Sequence, residues 1–204
     1  MITIHHSRNA RSVRVIWLLE ELGVPYALKP VEFKPAALKS SGYLALHPLG
    51  QIPALEDGAI TMFESGAMLE YLLERYGGGK LAPSIAEPEQ RAEYLKWFHF
   101  GEASLAKWMN DIVRARYYVP ESERVPEVLP LARQHYREAL AVVDRALSER
   151  AFICGATFSA ADIMVSYGVT IGKFIGELPS DLERLAAYLG RLKERSAYLR
   201  AWGA

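Results

Sequence analysis

The apolar pattern of this chain changes character once, and the change limits the folds that the chain can adopt. Up to residue 76, short strand-like segments alternate with helical ones, whereas from residue 87 onward every strong segment is helical. The stretch Gly77–Pro83 contains three glycines and a proline, which interrupt regular structure and are typical of a linker. The sequence therefore predicts an α/β domain over residues 1–78, a linker over 79–86 and an all-helical domain over 87–204.

The first domain begins with a predicted strand, helix and strand. Ile2–His6 alternates in polarity, as a half-buried strand does. The next segment places apolar residues at i, i+3, i+4 and i+7 and leaves Arg14 off that stripe, which predicts an amphipathic helix ending before Gly23. Tyr26–Glu32 is the second strand, and its Pro30 favours a sheet edge because proline cannot donate to a ladder. We expect the two strands to be parallel with a right-handed crossover.

The remainder of the first domain continues the alternation. Residues 33–46 are irregular or weakly helical. Asp57-Gly58 lies between two short apolar runs and predicts a β-hairpin, and Ser65–Tyr76 predicts a second clear helix. This order of elements is typical of a thioredoxin-like α/β layer.

The second domain is predicted to be an all-α helical bundle. Ser159 and Asp162 stand at the start of an apolar segment and resemble a capping box, with Asp in place of Glu. The helical segments are Glu87–Tyr118, Leu131–Leu147, Ala160–Phe174 and Asp181–Arg195.

Charge and composition exclude several classes of function. The chain has 24 acidic and 24 basic residues and no polybasic run, which argues against a nucleic-acid or membrane-surface partner. No apolar stretch is long enough for a transmembrane helix, and Met1–His5 shows no secretory pattern. A single cysteine, Cys154, excludes an intrachain disulfide and fits a reducing compartment, so we expect a cytoplasmic protein.

Two short motifs carry the clearest functional information. Pro53 lies where an apolar strand begins, and an X–Pro bond is the common place for a cis peptide. A bend there would leave the backbone N–H and C=O of Ile52 free to pair with an extended, peptide-like ligand. Glu64-Ser65 begins an apolar helix, and helix N-termini bind carboxylates through free N–H groups and the dipole. Together the motifs predict a site for a small acidic peptide.

Four motifs, in order along the chain, resemble the cytosolic glutathione transferase family of bacterial type. They are the segments 22–26, 47–55, 63–72 and 158–163. The second is similar to the family signature Asn-Pro-x-Gly-x-Val-Pro-x-Leu, except that His47 replaces the usual Asn, a change expected to shape the loop more than the chemistry. The resemblance covers nearly the whole chain and implies a thioredoxin-like N-terminal domain followed by an all-helical C-terminal domain.

The resemblance implies that glutathione is the bound peptide. Ile52, beside a cis Pro53, would pair its backbone with the cysteinyl unit. Ser65 and the helix N-terminus would take the γ-glutamyl carboxylate, and Glu64 would take the ammonium group. Two further side chains are expected next to the peptide, Gln51 alongside it and Lys39 at its glycyl carboxylate.

Catalysis would require a group that stabilises the glutathione thiolate. Lowering a thiol pKa by about two units needs about 2.7 kcal/mol, which a charge-assisted hydrogen bond and a helix N-terminus can supply. The loop after the first strand lacks the Tyr or Cys that many family members use there. Asn9 is the first choice, Ser7 and Ser12 are alternatives, and Arg11 would add positive charge. Ser12 or Asn9 could instead simply cap the helix.

The acceptor site and the assembly are less constrained by the sequence. Four residues of the long helical segment are candidates for an acceptor pocket, or else for ordinary packing: Trp108, Arg114, Tyr117 and Tyr118. The five histidines show no metal-ligand spacing, so no metal is expected, and Cys154 fits a core position better than a nucleophile. The resemblance implies a homodimer. The expected function is conjugation of glutathione to a small hydrophobic electrophile; the alternatives are glutathione-dependent peroxide reduction and a non-catalytic binding or regulatory module.

Overall fold

A computed structural model describes all residues of the chain, 1–204. The chain forms two compact units. The first contains Met1–Leu81 together with Lys193–Ala204, and the second contains Ala82–Leu192. No helix is long and apolar enough to cross a lipid bilayer.

The first unit is built on a four-stranded mixed sheet. The sheet order is β2-β1-β3-β4, with β1 parallel to β2 and antiparallel to β3, which is in turn antiparallel to β4. The parallel pair, the edge position of β2 and the hairpin are confirmed. The elements are β1 (Ile2–His6), α1 (Ser12–Leu22), β2 (Tyr26–Pro30), α2 (Pro35–Leu38), α3 (Ser41–Leu44), β3 (Ala54–Asp57), β4 (Ile60–Met62) and α4 (Ser65–Tyr76).

Helix α1 contributes much of the core of the first unit. Its residues from Ser12 through Leu19 are all buried. The helix ends as predicted, because Gly23 adopts the left-handed conformation at φ 69° and donates its N–H to the Leu19 carbonyl. The Arg14 side chain departs from the predicted pattern, since it lies off the apolar stripe and is nevertheless fully buried.

The last helix of the chain, α10 (Ser196–Gly203), belongs to the first unit. The ring of Tyr198 packs edge-on against that of Trp17, with centroids 4.9 Å apart. Arg195 donates from Nε and Nη2 to the two carboxylate oxygens of Glu21, each at 2.7 Å. The division drawn from the sequence places this segment in the helical domain, because a helical pattern does not show which surface the helix will cover.

The second unit is helical throughout. The predicted long or broken helix is a run of α- and π-helical segments, and Gly101 lies where a Cβ would come within 2.6 Å of the Met164 backbone. The elements are α5 (Pro88–Phe100), a π-helical segment (Gly101–Ala106), α6 (Lys107–Val113), a second π-helical segment (Arg114–Tyr118), a 3-10 turn (Glu121–Glu123), α7 (Val128–Ala146), α8 (Ala160–Phe174) and α9 (Glu183–Lys193).

The predicted capping box at the start of α8 is confirmed. Ser159 donates its backbone N–H to Asp162 Oδ2 at 2.8 Å. The same carboxylate accepts the Ile153 N–H at 2.7 Å and the Tyr188 hydroxyl at 2.8 Å. Because all these groups are buried, the box ties three separate segments of the unit together.

Candidate functional site

The segment before β3 presents an unpaired backbone edge. The Ile52–Pro53 peptide bond is cis, as the sequence predicted. The Ile52 side chain is buried in a cluster with Ala10, Tyr43 and Ala54, yet its N–H and C=O make no hydrogen bond within the chain. These backbone groups can therefore pair with an extended ligand.

The N-terminus of α4 lies next along the chain after the β-hairpin. Its N-cap residue, Glu64, has φ 74° and ψ 102°, an unfavourable conformation for a residue with a Cβ, and makes no side-chain cap. The first helical hydrogen bond runs from the Met68 N–H to the Glu64 carbonyl at 3.0 Å. The amides of residues 65–67 consequently have no helical acceptor, and the first turn carries no acidic side chain. This helix end is suited to an anion.

Ser65 forms a buried hydrogen bond with Arg14. The Arg14 Nη1 donates to Ser65 Oγ at 3.2 Å, and both residues are buried. The Glu64 side chain, in contrast, is exposed. The helix end thus offers an exposed carboxylate next to a fixed hydroxyl and free amides.

The four residues predicted to activate a thiol lie in the loop between β1 and α1 and at the first position of α1. Ser7 is buried and donates its hydroxyl to the Val31 carbonyl. Ser12 is fully buried, with its Oγ 2.8 Å from His6 Nδ1 and 3.4 Å from the Ser7 carbonyl. Asn9 is exposed and has a positive φ of 61°, which Asn tolerates better than most residues. Arg11 is the N-cap of α1 and gives no side-chain cap of its own.

His6 contacts this loop from its buried side, and the sequence analysis did not identify His6 as a site residue. Burial lowers the pKa of His6, so its ring is neutral at pH 7. The Ser12 hydroxyl and His6 Nδ1 share a hydrogen bond of 2.8 Å, which fixes the ring against the start of α1. A histidine at the end of a strand and a serine six residues later gave no signal, since the contact depends on how the chain turns.

The loop from Lys39 to Gln51 flanks the cis bond. Lys39 is exposed, and its Nζ donates to the Leu49 carbonyl at 2.7 Å. Gln51 is exposed, and its backbone carbonyl accepts a hydrogen bond from the Tyr43 hydroxyl at 2.7 Å. His47 shapes this loop as expected, because its Nδ1 accepts the Leu49 N–H at 3.3 Å.

The four residues predicted to contact an acceptor lie in the second unit. Trp108, in α6, stacks on His135 with centroids 4.4 Å apart, and Lys107 Nζ lies 3.3 Å from the indole centroid. The other three are exposed and belong to the π-helical segment Arg114–Tyr118, a type of segment that is frequent at functional sites.

Other reactive groups do not form a site. No group of three or more His, Cys, Asp or Glu side chains could hold a metal ion. Burial raises the pKa of Cys154 to about 12, so its sulfur is a thiol rather than a thiolate at neutral pH.

Comparison with known proteins identifies the family. Residues 1–74 match the glutathione S-transferase N-terminal domain, and residues 113–202 match the glutathione S-transferase C-terminal domain. The chain is 31% identical to glutathione S-transferase 3 of Schizosaccharomyces pombe over 180 residues, covering 83% of this chain and 73% of that protein. It is 27% identical to the glutathione S-transferase GstB of Escherichia coli over 81% of this chain and 80% of that protein.

Solved structures show the same fold. A theta class glutathione S-transferase from Xanthomonas axonopodis pv. citri, with glutathione bound, superposes with a TM-score of 0.83 at 32% identity, covering 100% of this chain and 97% of that one. The glutathione transferase URE2P6 from Phanerochaete chrysosporium, at 24% identity, gives a TM-score of 0.87 over 99% of this chain and 94% of that one, a likeness of fold alone. The thioredoxin-like sheet, the helical second unit and the sequence matches agree, and the chain belongs to the glutathione S-transferase family.

Proposed function

We propose that this protein binds glutathione in its first unit and transfers the glutathione thiolate to a small hydrophobic electrophile. The observation that carries the proposal is the unpaired Ile52 backbone in the same unit as the open N-terminus of α4. An extended peptide needs backbone partners, and its terminal carboxylate needs donors. Membership of the family supports glutathione as that peptide, and the related Xanthomonas enzyme has glutathione bound.

Each part of glutathione has a proposed partner. The Ile52 N–H and C=O pair with the cysteinyl unit beside Pro53. The Ser65 hydroxyl and the amides of residues 65–67 bind the γ-glutamyl carboxylate, while the exposed Glu64 carboxylate binds the ammonium group. The side chains proposed at the other end are Gln51, alongside the peptide, and Lys39, which would exchange its bond to the Leu49 carbonyl for the glycyl carboxylate.

The thiolate is proposed to be stabilised by Asn9 together with the N-terminus of α1. Asn9 is exposed on this loop, whereas Ser7 and Ser12 are buried. Ser7 is the second choice and Ser12 the third, and Arg11 supplies positive charge at the helix start. In a displacement the sulfur lone pair forms a bond to the electrophilic carbon, and the electron pair of the broken bond leaves with the leaving group. In an addition to an epoxide or an enal, the electron pair of the broken bond stays on the acceptor, which takes up a proton from water.

The acceptor is proposed to contact the second unit through Trp108, Arg114, Tyr117 and Tyr118. Tyr117 and Tyr118 are 56% and 61% exposed, and exposed aromatic rings suit contact with an aromatic or apolar molecule. Arg114 would attract an electrophile that carries negative charge or a polar carbonyl. We also propose that the protein is a cytoplasmic homodimer, since family membership favours the dimer and the lone Cys154 suits a reducing compartment.

A non-catalytic glutathione-binding module is the second candidate. The observation that favours it is that the loop offers no tyrosine or cysteine and that both its serine hydroxyls are occupied. In that case glutathione would bind with an unperturbed thiol.

Calorimetry with glutathione, followed by an ultraviolet titration of the bound thiol, separates these functions. We expect binding, a bound thiol pKa near 6.5, and an increase of about one unit in the Asn9→Ala variant. Turnover of a panel of haloaromatics, epoxides, enals and hydroperoxides then assigns conjugation or peroxide reduction. No binding at millimolar glutathione refutes the proposal, and binding without a lowered pKa supports the non-catalytic module.

A further inference from the structure

Arg14 is buried in a place that the apolar pattern does not explain. It lies off the apolar stripe of α1, in the first turn of the helix, and has 0% of its surface exposed. Burying a guanidinium carries a large desolvation cost unless its donors are satisfied. One of those donors, Nη1, reaches Ser65 Oγ at 3.2 Å, which places the charge directly beneath the open end of α4.

The direction of this hydrogen bond follows from the chemistry of the two groups. A guanidinium has donors only, so Ser65 Oγ must be the acceptor. The proton of the Ser65 hydroxyl then has to point to another acceptor, and no acceptor within the chain receives it. Ser65 keeps 4% of its surface exposed, at the helix end where the amides of residues 65–67 are also unpaired.

We propose that Arg14 is a positioning residue that makes the Ser65 hydroxyl a dedicated donor to the γ-glutamyl carboxylate of glutathione. The proposal rests on the proposed function and assigns a further residue to the same site. Arg14 therefore sets the preference for a peptide that carries a carboxylate at this end.

The test compares two peptides that differ only in that carboxylate. One is glutathione, and the other is its analogue with 4-aminobutyrate in place of the γ-glutamyl residue, which keeps the ammonium group. The preference is the ratio of their dissociation constants, measured by calorimetry. We expect a preference of about tenfold or more in the unchanged protein and about twofold in Arg14→Met, because a hydrogen bond to a charged group is lost.

Two further variants separate a positioning role from a general loss of structure. In Ser65→Ala the preference should already be low, and adding Arg14→Met should change it by less than about twofold, since the two residues act through one hydroxyl. Arg14→Lys keeps the charge on a shorter, less forked side chain and should give an intermediate preference. Arg75→Met removes an exposed guanidinium at the far end of α4 and serves as the matched control, with an unchanged preference.

The outcomes are distinguishable from failure of the proposed function. If the unchanged protein binds neither peptide, the proposed function and this inference both fail. If it prefers glutathione and a folded Arg14→Met shows the same preference, only the role of Arg14 is refuted. If thermal unfolding shows that Arg14→Met does not fold, Arg14→Lys decides: a preference reduced at least twofold supports the inference, and an unchanged one overturns it.

Discussion

Helices α4 and α8 begin in opposite ways. At the start of α8, the Asp162 carboxylate and the Ser159 backbone form a closed, buried box to which Ile153 and Tyr188 also donate. At the start of α4, no side chain caps the free amides and no acidic residue occupies the first turn. The residue before that turn, Glu64, directs its side chain to solvent.

The difference shows two uses of the same helix end. Free amides and the positive end of the dipole attract negative charge at any helix N-terminus. In the second unit the side chain of Asp162 occupies this position, and the resulting hydrogen bonds stabilise the fold. The first unit leaves the position open, so the same attraction is available to a ligand.

The largest expected effect comes from opening the closed helix end. Asp162→Ala removes the acceptor of four buried donor groups, one each on Ile153 and Tyr188 and two on Ser159, and should lower the free energy of unfolding by about 4 kcal/mol. Urea unfolding followed by circular dichroism measures it. Ser65→Ala, the matched change at α4, removes one acceptor of the buried Arg14 and should cost less, about 1–2 kcal/mol. Equal losses in the two variants would remove the distinction between the helix ends.

The converse change closes the open end. Ser65→Asp places a carboxylate at the start of α4, where the free amides and Arg14 would bind it. Its charge would repel the glutamyl carboxylate, so glutathione should bind about 100-fold more weakly, while the free energy of unfolding rises by up to about 1 kcal/mol.

Ser65→Asn is the uncharged control for that experiment. It should weaken binding by less than about tenfold, because it adds no like charge. Full glutathione binding by Ser65→Asp, measured by calorimetry, would show that the carboxylate does not bind at this helix end.

Substitutions of Glu64 test whether its backbone conformation at the start of α4 lowers the free energy of unfolding. Glu64→Gly should relieve the positive φ and raise the free energy of unfolding by about 1 kcal/mol, while glutathione binding weakens about tenfold through loss of the ammonium partner. Glu64→Gln keeps the backbone strain and removes only the charge. If thermal unfolding shows Glu64→Gly to be less stable than Glu64→Gln, the conformation is not strained.

The smallest expected effect concerns His6, whose Nδ1 lies 2.8 Å from Ser12 Oγ at the start of α1. Burial lowers the pKa of His6 from its ordinary value of 6.5. As the pH falls through 6.5, the unfolded chain takes up a proton that the folded chain does not, so the free energy of unfolding decreases. Above pH 6.5 the ring is neutral in both states, and the free energy of unfolding keeps its full value.

A pH series of urea unfolding between pH 7.5 and about 5.5 measures this decrease. His6→Asn places an amide near the Nδ1 position and should flatten the series. His47, whose pKa burial also lowers, should leave a remaining slope in the variant. An unchanged slope in His6→Asn would assign the pH dependence elsewhere.

The features predicted from sequence are those with local causes. The bounds of α8 and its box depend on Ser159, Asp162 and an apolar run, all within a few residues of one another. The same holds for the end of α1, where Gly23 supplies a left-handed residue, and for the Asp57-Gly58 hairpin. The cis bond before Pro53 and the open start of α4 also follow from short motifs.

The features that sequence did not reveal depend on distant contacts. Arg14 lies off the apolar stripe of its helix, and only the position of Ser65, 51 residues away, gives its burial a role. His6 and Ser12 meet because of the turn between β1 and α1. The place of α10 is decided by Trp17 and Glu21, which no periodicity within residues 193–204 can indicate.

The position of α10 has a consequence for synthesis of the protein. The first unit needs Tyr198 and Arg195 to cover α1, and these residues follow the whole helical unit in the chain. A ribosome therefore releases all of the second unit before the first can be completed, although the first is begun earlier. Until then the side of α1 that contacts α10 stays uncovered.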